Sequence, residues 1–161
     1  MAGIFGLFKK KGFEIAAPMK GECVPISRVP DPTFSEGILG KGAAIIPADG
    51  KVYAPADGEI TMAFQTGHAV AMTTADGVEI LVHVGLETVS LEGKPFTMHV
   101  ADGQSVKKGD LMIEADLDAI REAGCEIITP IVVCNTDAYA EVECMTGKQV
   151  APGDEIMRVK S

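Results

Sequence analysis

No stretch of apolar residues in this chain approaches the roughly 18 that a bilayer-spanning helix needs, although 47% of its 161 residues are hydrophobic. A transmembrane helix is not expected. Basic residues are also scarce: 14 Lys and Arg against 23 Asp and Glu give a net charge of −9 with neutral histidines. A duplex-binding protein releases counterions through an excess of Lys and Arg. The balance therefore argues against nucleic acid and favours partners that present a positive face. Tryptophan is absent, while 18 Gly and 9 Pro indicate many tight turns and little long helix. The four cysteines, Cys23, Cys125, Cys134 and Cys144, include no C-x-x-C pair, so zinc-knuckle and redox spacings are missing. A secretory signal is not expected either. The apolar part of Met1-Ala-Gly-Ile-Phe-Gly-Leu-Phe is short, and its lysines follow it instead of preceding it. Reduced, mostly buried thiols in a cytoplasmic protein are the expectation.

What is present reads as one domain over 13–161, preceded by a flexible amphipathic tail over 1–12. In that tail Ile4, Phe5, Leu7 and Phe8 form an apolar stripe on a helix, followed by Lys9, Lys10 and Lys11. Such a segment is expected to make weak, reversible contact with anionic headgroups, peripheral at the inner face of the membrane. Beyond it, runs rich in Val, Ile and Met at 43–46, 52–54, 69–73, 78–84, 111–114, 127–134 and 155–159 read as strands. Ala-Asp-Gly occurs four times, at 48–50, 56–58, 75–77 and 101–103, and each copy is a turn signal. One stretch, 117–123, reads as a helix that Asp116 caps and Gly124 ends. Gly103-x-x-Val106-x-x-Gly109-Asp110 recurs 44 positions later as Gly147-x-x-Val150-x-x-Gly153-Asp154. The fold expected is all-β: an antiparallel β-sandwich built from duplicated hairpin elements, with one or two very short helices.

Chemistry concentrates between Phe64 and Val89. If Asp76-Gly77 centres a two-residue turn, Val70 sits opposite His83 and His68 opposite Gly85. Phe64, Thr66, His68 and Val70 then share a face with Leu81 and His83. The two histidines become diagonal neighbours, with backbones roughly 7–8 Å apart and side chains able to touch. An odd-length bulged loop would instead put them on opposite faces. A neutral imidazole is a nucleophile near neutral pH. A second one beside it can donate to a charged oxygen once its tautomer is fixed, and apolar neighbours exclude water from a labile adduct. His99 lies outside this group and reads as an ordinary surface or core histidine.

The run Gly77-x-x-Ile80-Leu81-Val82-His83-Val84-Gly85-Leu86-x-Thr88-Val89 resembles the signature of the glucose-type enzyme IIA of the bacterial sugar phosphotransferase system. Ala17-Pro18-Met19-x-Gly21-Glu22, Val29-Pro30-Asp31-x-x-Phe34, Phe64-x-Thr66-x-His68, Gly103-Gln104-x-Val106 and Thr129-Pro130 resemble the family in the same order, covering roughly 14–160. The resemblance implies an antiparallel β-sandwich that carries phosphate on a histidine. It would take the phosphoryl group from the carrier HPr and give it to a cysteine of a IIB domain. His83 would be the phosphorylated nucleophile, His68 the stabilising histidine, and Thr66 the residue that orients His68. Asp31, Phe34, Phe64, Leu81, Glu87 and Val89 would rim the docking face. Leu81 and Glu87 depart from the family pattern, where an aromatic and an Asp are common. Regulatory protein targets for the unphosphorylated form are a further role that the sequence leaves open. No resident cofactor is implied, though zinc held by His68 and His83 with a partner carboxylate fits the family.

Two other classes fit the residues less well. In a zinc hydrolase, His68 and His83 would need a third ligand from Asp31 or Glu87, and the chain has no H-x-H or H-E-x-x-H. For a biotinyl or lipoyl carrier, Met19-Lys20 faintly matches a carrier lysine, but Gly21 follows where Met is expected.

Overall fold

The computed structural model describes residues 12–161. The expected tail lies outside them except for Gly12, which opens the first strand opposite Lys160. Among the described residues fourteen strands run antiparallel, with two short α-helices between them. They are β1 (Gly12–Ala16), β2 (Gly21–Pro25), β3 (Lys41–Pro47), β4 (Lys51–Tyr53), β5 (Gly58–Ala63), β6 (Ala69–Thr74) and β7 (Glu79–His83), then β8 (Phe96–Met98), β9 (Ser105–Val106), β10 (Leu111–Ala115), β11 (Thr129–Val133), β12 (Glu141–Cys144), β13 (Lys148–Val150) and β14 (Glu155–Lys160). An eight-stranded sheet has the order β13-β2-β3-β11-β7-β6-β5-β9, and two three-stranded sheets have the orders β1-β14-β12 and β4-β10-β8. The expected β-sandwich is the fold found.

Helix α1 (Pro32–Ser35) begins where Asp31 accepts the Thr33 N–H and Pro32 supplies the first helical position. Helix α2 (Leu117–Glu122) falls on the stretch read as helical, and the Asp116 carboxylate accepts the Ala119 N–H at 3.1 Å.

The repeated Gly-Asp elements are structural equivalents. Asp110 and Asp154 accept the N–H groups of Lys107 and Ala151, both at 2.8 Å. Gly109 and Gly153 donate to the carbonyls of Ala54 and Ala17, each the first residue of an Ala-Pro pair. Those pairs exchange bonds reciprocally: Ala16 N–H with Pro55 O, and Tyr53 N–H with Pro18 O. The duplicated-hairpin reading therefore extends beyond the motif that revealed it.

The main core holds Ile45, Ile60, Met72, Ile80, Met112, Ile131, Ile156 and Met157, none more than 1% exposed. A smaller cluster, with Val24, Phe34, Ala44, Leu86 and Val132, forms separately, and Leu81 packs against it. Strand β11 is buried along its whole length because Ile131 and Val133 join the main core while Val132 joins the smaller cluster. In β7, Ile80 and Val82 enter the main core, so by alternation Leu81 and His83 face the other way. The cysteines are less hidden than expected. Cys23 is buried, Cys125 and Cys144 are half-buried, and Cys134 is exposed, at the end of β11 where the chain leaves the sheet.

Candidate functional site

The β6–β7 hairpin differs from the expected register by one residue. Ala69 pairs with His83, Val70 with Val82 and Ala71 with Leu81. The loop holds three residues, Ala75, Asp76 and Gly77, closed by Thr74 N–H to Val78 O at 2.9 Å. Gly77 has φ +91, the left-handed conformation that a bulged hairpin loop of this length requires. Val70 therefore points into the core, and His68 lies opposite Val84, whose N–H bonds the His68 carbonyl at 2.7 Å. Strict alternation would now separate the two histidines. They meet nonetheless, because His68 precedes the ladder. It sits in a bend between Gly67 and the first residue of β6, free of the pleat. The ring centroids of His68 and His83 lie 4.9 Å apart, edge to face at 80°.

His83 closes β7. In the β7–β11 register Pro130 would stand opposite it, and the paired positions stop at Ile131 and Val82. A proline has no N–H for the ladder. Two residues on, Gly85 turns its carbonyl back to His83 Nδ1 at 2.7 Å. Gly85 has φ +73, and a Cβ there would lie 2.6 Å from the Glu126 carbonyl oxygen. Only glycine fits this position. Buried Thr88 braces the same turn by donating to Val84 O at 2.6 Å. A carbonyl only accepts, so Nδ1 carries the proton and Nε2 keeps the lone pair. Thr66 Oγ1 lies 2.5 Å from His68 Nδ1. That contact gives His68 a partner at one nitrogen and leaves the other for the neighbouring ring or for a ligand.

The charge states follow from burial. His68 is 4% exposed. Its pKa is pushed down from 6.5 to about 4, first by desolvation and then by the neighbouring His83. His83 is also lowered by desolvation, while the Gly85 carbonyl and the Asp31 carboxylate pull the other way. Both imidazoles are neutral at pH 7.

The expected rim is only partly a rim. Phe34, expected on the rim, is buried, with its ring 5.3 Å from that of His83. Phe64 is half-buried and meets His68 edge to face at 5.3 Å. Leu81 is half-buried on the His83 side of β7. Asp31 and Glu87 both line a depression of about 430 Å3 with Pro30, Pro32 and Glu126. Glu87 is exposed and left-handed at φ +59, and Val89 is 53% exposed. Sequence reasoning missed the bracing role of Thr88 and the small residues Ala69 and Ala71, which leave room beside His83 and Leu81. Thr88 stood within the quoted motif, but nothing in a linear pattern marks it as a brace. Among the described residues, no three His, Cys, Asp or Glu side chains gather as a metal-ligand set. No helix among them is long and apolar enough to cross a membrane.

The profile of the family described as phosphoenolpyruvate-dependent sugar phosphotransferase system, EIIA 1, matches residues 13–139. The PTS system glucose-specific EIIA component of Bacillus cereus is 46% identical over 97% of this chain and 96% of its own. The PTS system glucose-specific EIICBA component of Streptococcus pneumoniae is 43% identical over 95% of this chain but only 21% of its own. Among solved structures, glucose permease IIA from Mycoplasma capricolum superposes with a TM-score of 0.84 at 34% identity, covering 92% of this chain and 96% of that one. The chain therefore belongs to the EIIA 1 family of the phosphoenolpyruvate-dependent sugar phosphotransferase system, as a glucose-type phosphocarrier component.

Proposed function

We propose that His83 receives the phosphoryl group from the phosphohistidine of HPr on Nε2 and passes it to a cysteine of a IIB domain. The observation that carries this reading is the Gly85 carbonyl at His83 Nδ1, which leaves Nε2 as the free nucleophile beside a second imidazole. In the first step the Nε2 lone pair forms a P–N bond as the P–N bond to the HPr histidine breaks, and that imidazole leaves with its electron pair. In the second a thiolate of IIB forms a P–S bond and His83 leaves as neutral imidazole. Thr66 donates its hydroxyl proton to His68 Nδ1, which leaves Nε2–H of His68 to donate to a phosphoryl oxygen. Burial beside Phe34 and Phe64 limits hydrolysis of the labile adduct.

HPr docks over the exposed face around His83, with Phe64, Leu81 and Val89 as apolar contacts and Asp31 and Glu87 as acidic ones. A IIB partner is supported by relatives such as the EIICBA component, whose name joins the A, B and C parts in one chain. Zinc would find two nitrogen ligands in His68 and His83, with a partner carboxylate completing the site. The same face would serve regulatory partners of the unphosphorylated form. The segment from Ile4 to Lys11 adds a weak contact with anionic membranes. Full-length protein should then co-sediment with anionic vesicles and a chain starting at Phe13 should not.

The test is incubation with HPr, its phosphorylating enzyme and phosphoenolpyruvate, read by intact mass before and after acid. One acid-labile phosphate, absent from H83A, is expected. A phosphate that survives acid or persists in H83A overturns the assignment.

A further inference from the structure

We propose that Asp102, remote in sequence from both histidines, is a positioning residue. It locks a bulge in β5 and so aims Phe64 and His68 at His83. The proposal rests on the reading of His83 as the phosphoryl-accepting residue.

Strand β5 pairs with β6 in two registers. Ile60 stands opposite Met72, but Met62 stands opposite Ala71 and Ala63 opposite Val70, so Thr61 is an extra residue. One inserted residue reverses which face every later side chain occupies. Ile60 enters the main core before the bulge, and Met62 is 50% exposed after it. The second register continues to Phe64, whose N–H bonds Ala69 O at 3.2 Å. Ala69 in turn pairs with His83. Phe64, Ala69 and His83 thus form one row across three strands, and the bulge is what puts Phe64 in it. Without the bulge Ala63 would face Ala69, and the turn carrying Thr66 and His68 would start one residue out of place.

The turn before β9 brackets this bulge. Ile60 N–H bonds Gln104 O at 2.8 Å, and Gly103 N–H bonds Ile60 O at 2.7 Å. On the far side of Thr61, the ladder offers nothing to the Ala63 N–H. Phe64 N–H is directed at β6, so the Ala63 N–H points outward, where β9 has ended. The Asp102 carboxylate accepts it at 2.6 Å. This charge-assisted bond replaces the missing strand partner and fixes the register from which the 64–68 turn departs.

The test compares Asp102→Ala with Asp102→Asn, which keeps an acceptor oxygen in the same place. The first readout is the set of ring resonances of His68 in the unphosphorylated protein, which report its tautomer and the ring current of Phe64. The second is the rate of transfer from phospho-HPr. D102A should shift the His68 resonances and slow transfer by about tenfold to a hundredfold, the effect of a small misplacement of reacting groups. D102N should restore both. If D102A does not fold, D102S, whose oxygen falls one bond short, takes its place. Unmoved His68 resonances, an unchanged rate, or a failure of D102N to restore them overturns the proposal. The resonances are read without phosphate. If His83 proves not to be the acceptor, the functional reading falls separately and the resonances alone still judge whether Asp102 positions His68.

Discussion

The 2.7 Å contact between His83 Nδ1 and the Gly85 carbonyl oxygen decides which nitrogen of the ring can react. Phosphorylation is therefore expected at Nε2. In the phosphorylated protein, 15N spectra of the ring should show the adduct at Nε2 and a proton retained at Nδ1. Phosphate at Nδ1 would contradict the assignment, because forming it requires the Gly85 bond to break.

His68 and Thr66 should separate by magnitude. Loss of the donor in His68→Ala should slow transfer by roughly 10²–10³, the usual cost of removing one such group. Its thermal midpoint should stay within a few degrees, since the ring packs on His83 and half-buried Phe64. Thr66→Val removes only the partner that fixes the tautomer. It should cost less, about tenfold, with a shifted His68 ring spectrum. Equal rates in all three proteins would show that the second imidazole takes no part.

Acid should act on both stability and transfer. The folded protein holds the His68 pKa near 4, against 6.5 for the free group. Above 6.5 both folded and unfolded chains carry the neutral ring. Between 6.5 and about 4 the unfolded chain takes up the proton and the folded one does not, so stability declines as pH falls through that window. Below about 4 the contribution levels off. H68A should therefore lose less stability than the parent between pH 6.5 and 4.5, as melting curves at matched ionic strength will show. Parallel curves would mean that His68 is not buried neutral. Transfer to His83 should likewise weaken only below the ordinary imidazole range, because its pKa is lowered too.

The strand runs and helix α2 were legible because alternation and a capping Asp are local signals. Much of the rest was not. Strand β2 sets Cys and Val among Gly, Glu and Pro, β5 opens on Gly-Glu and breaks its alternation at Thr61, and both are held as strands by the partners on either side. The hairpin register turned on whether Asp76-Gly77 closes a two- or three-residue loop, and both are compatible with the same residues. The histidine pair came out right for a different reason from the one that led to it. The bend at His68 compensates for the register shift at Gly77. Phe34 was placed on the docking face by resemblance, and the fold buries it behind His83, since α1 packs its one large apolar side chain inward. The bulge at Thr61 has no signature in a chain read one strand at a time.

Docking should be sensitive to the side chains that remain exposed and indifferent to those that are not. Phe64 follows β5 and meets His68 edge to face, and Val89 lies in the turn after β7, 53% exposed. Apolar surface ringed by polar groups commonly marks an interface. Phe64→Ser and Val89→Ser should each weaken HPr binding while leaving the melting temperature near that of the parent. Phe34→Ser should instead lower the melting temperature, because its ring fills the smaller core. The net charge of −9 attracts a positive partner before contact. Raising salt beyond physiological strength should therefore slow association more than dissociation, as stopped-flow mixing with HPr can resolve. If the exchange rate ignores salt and both serine substitutions, the partner docks on another face, and the acids around His83 serve only the ring they surround.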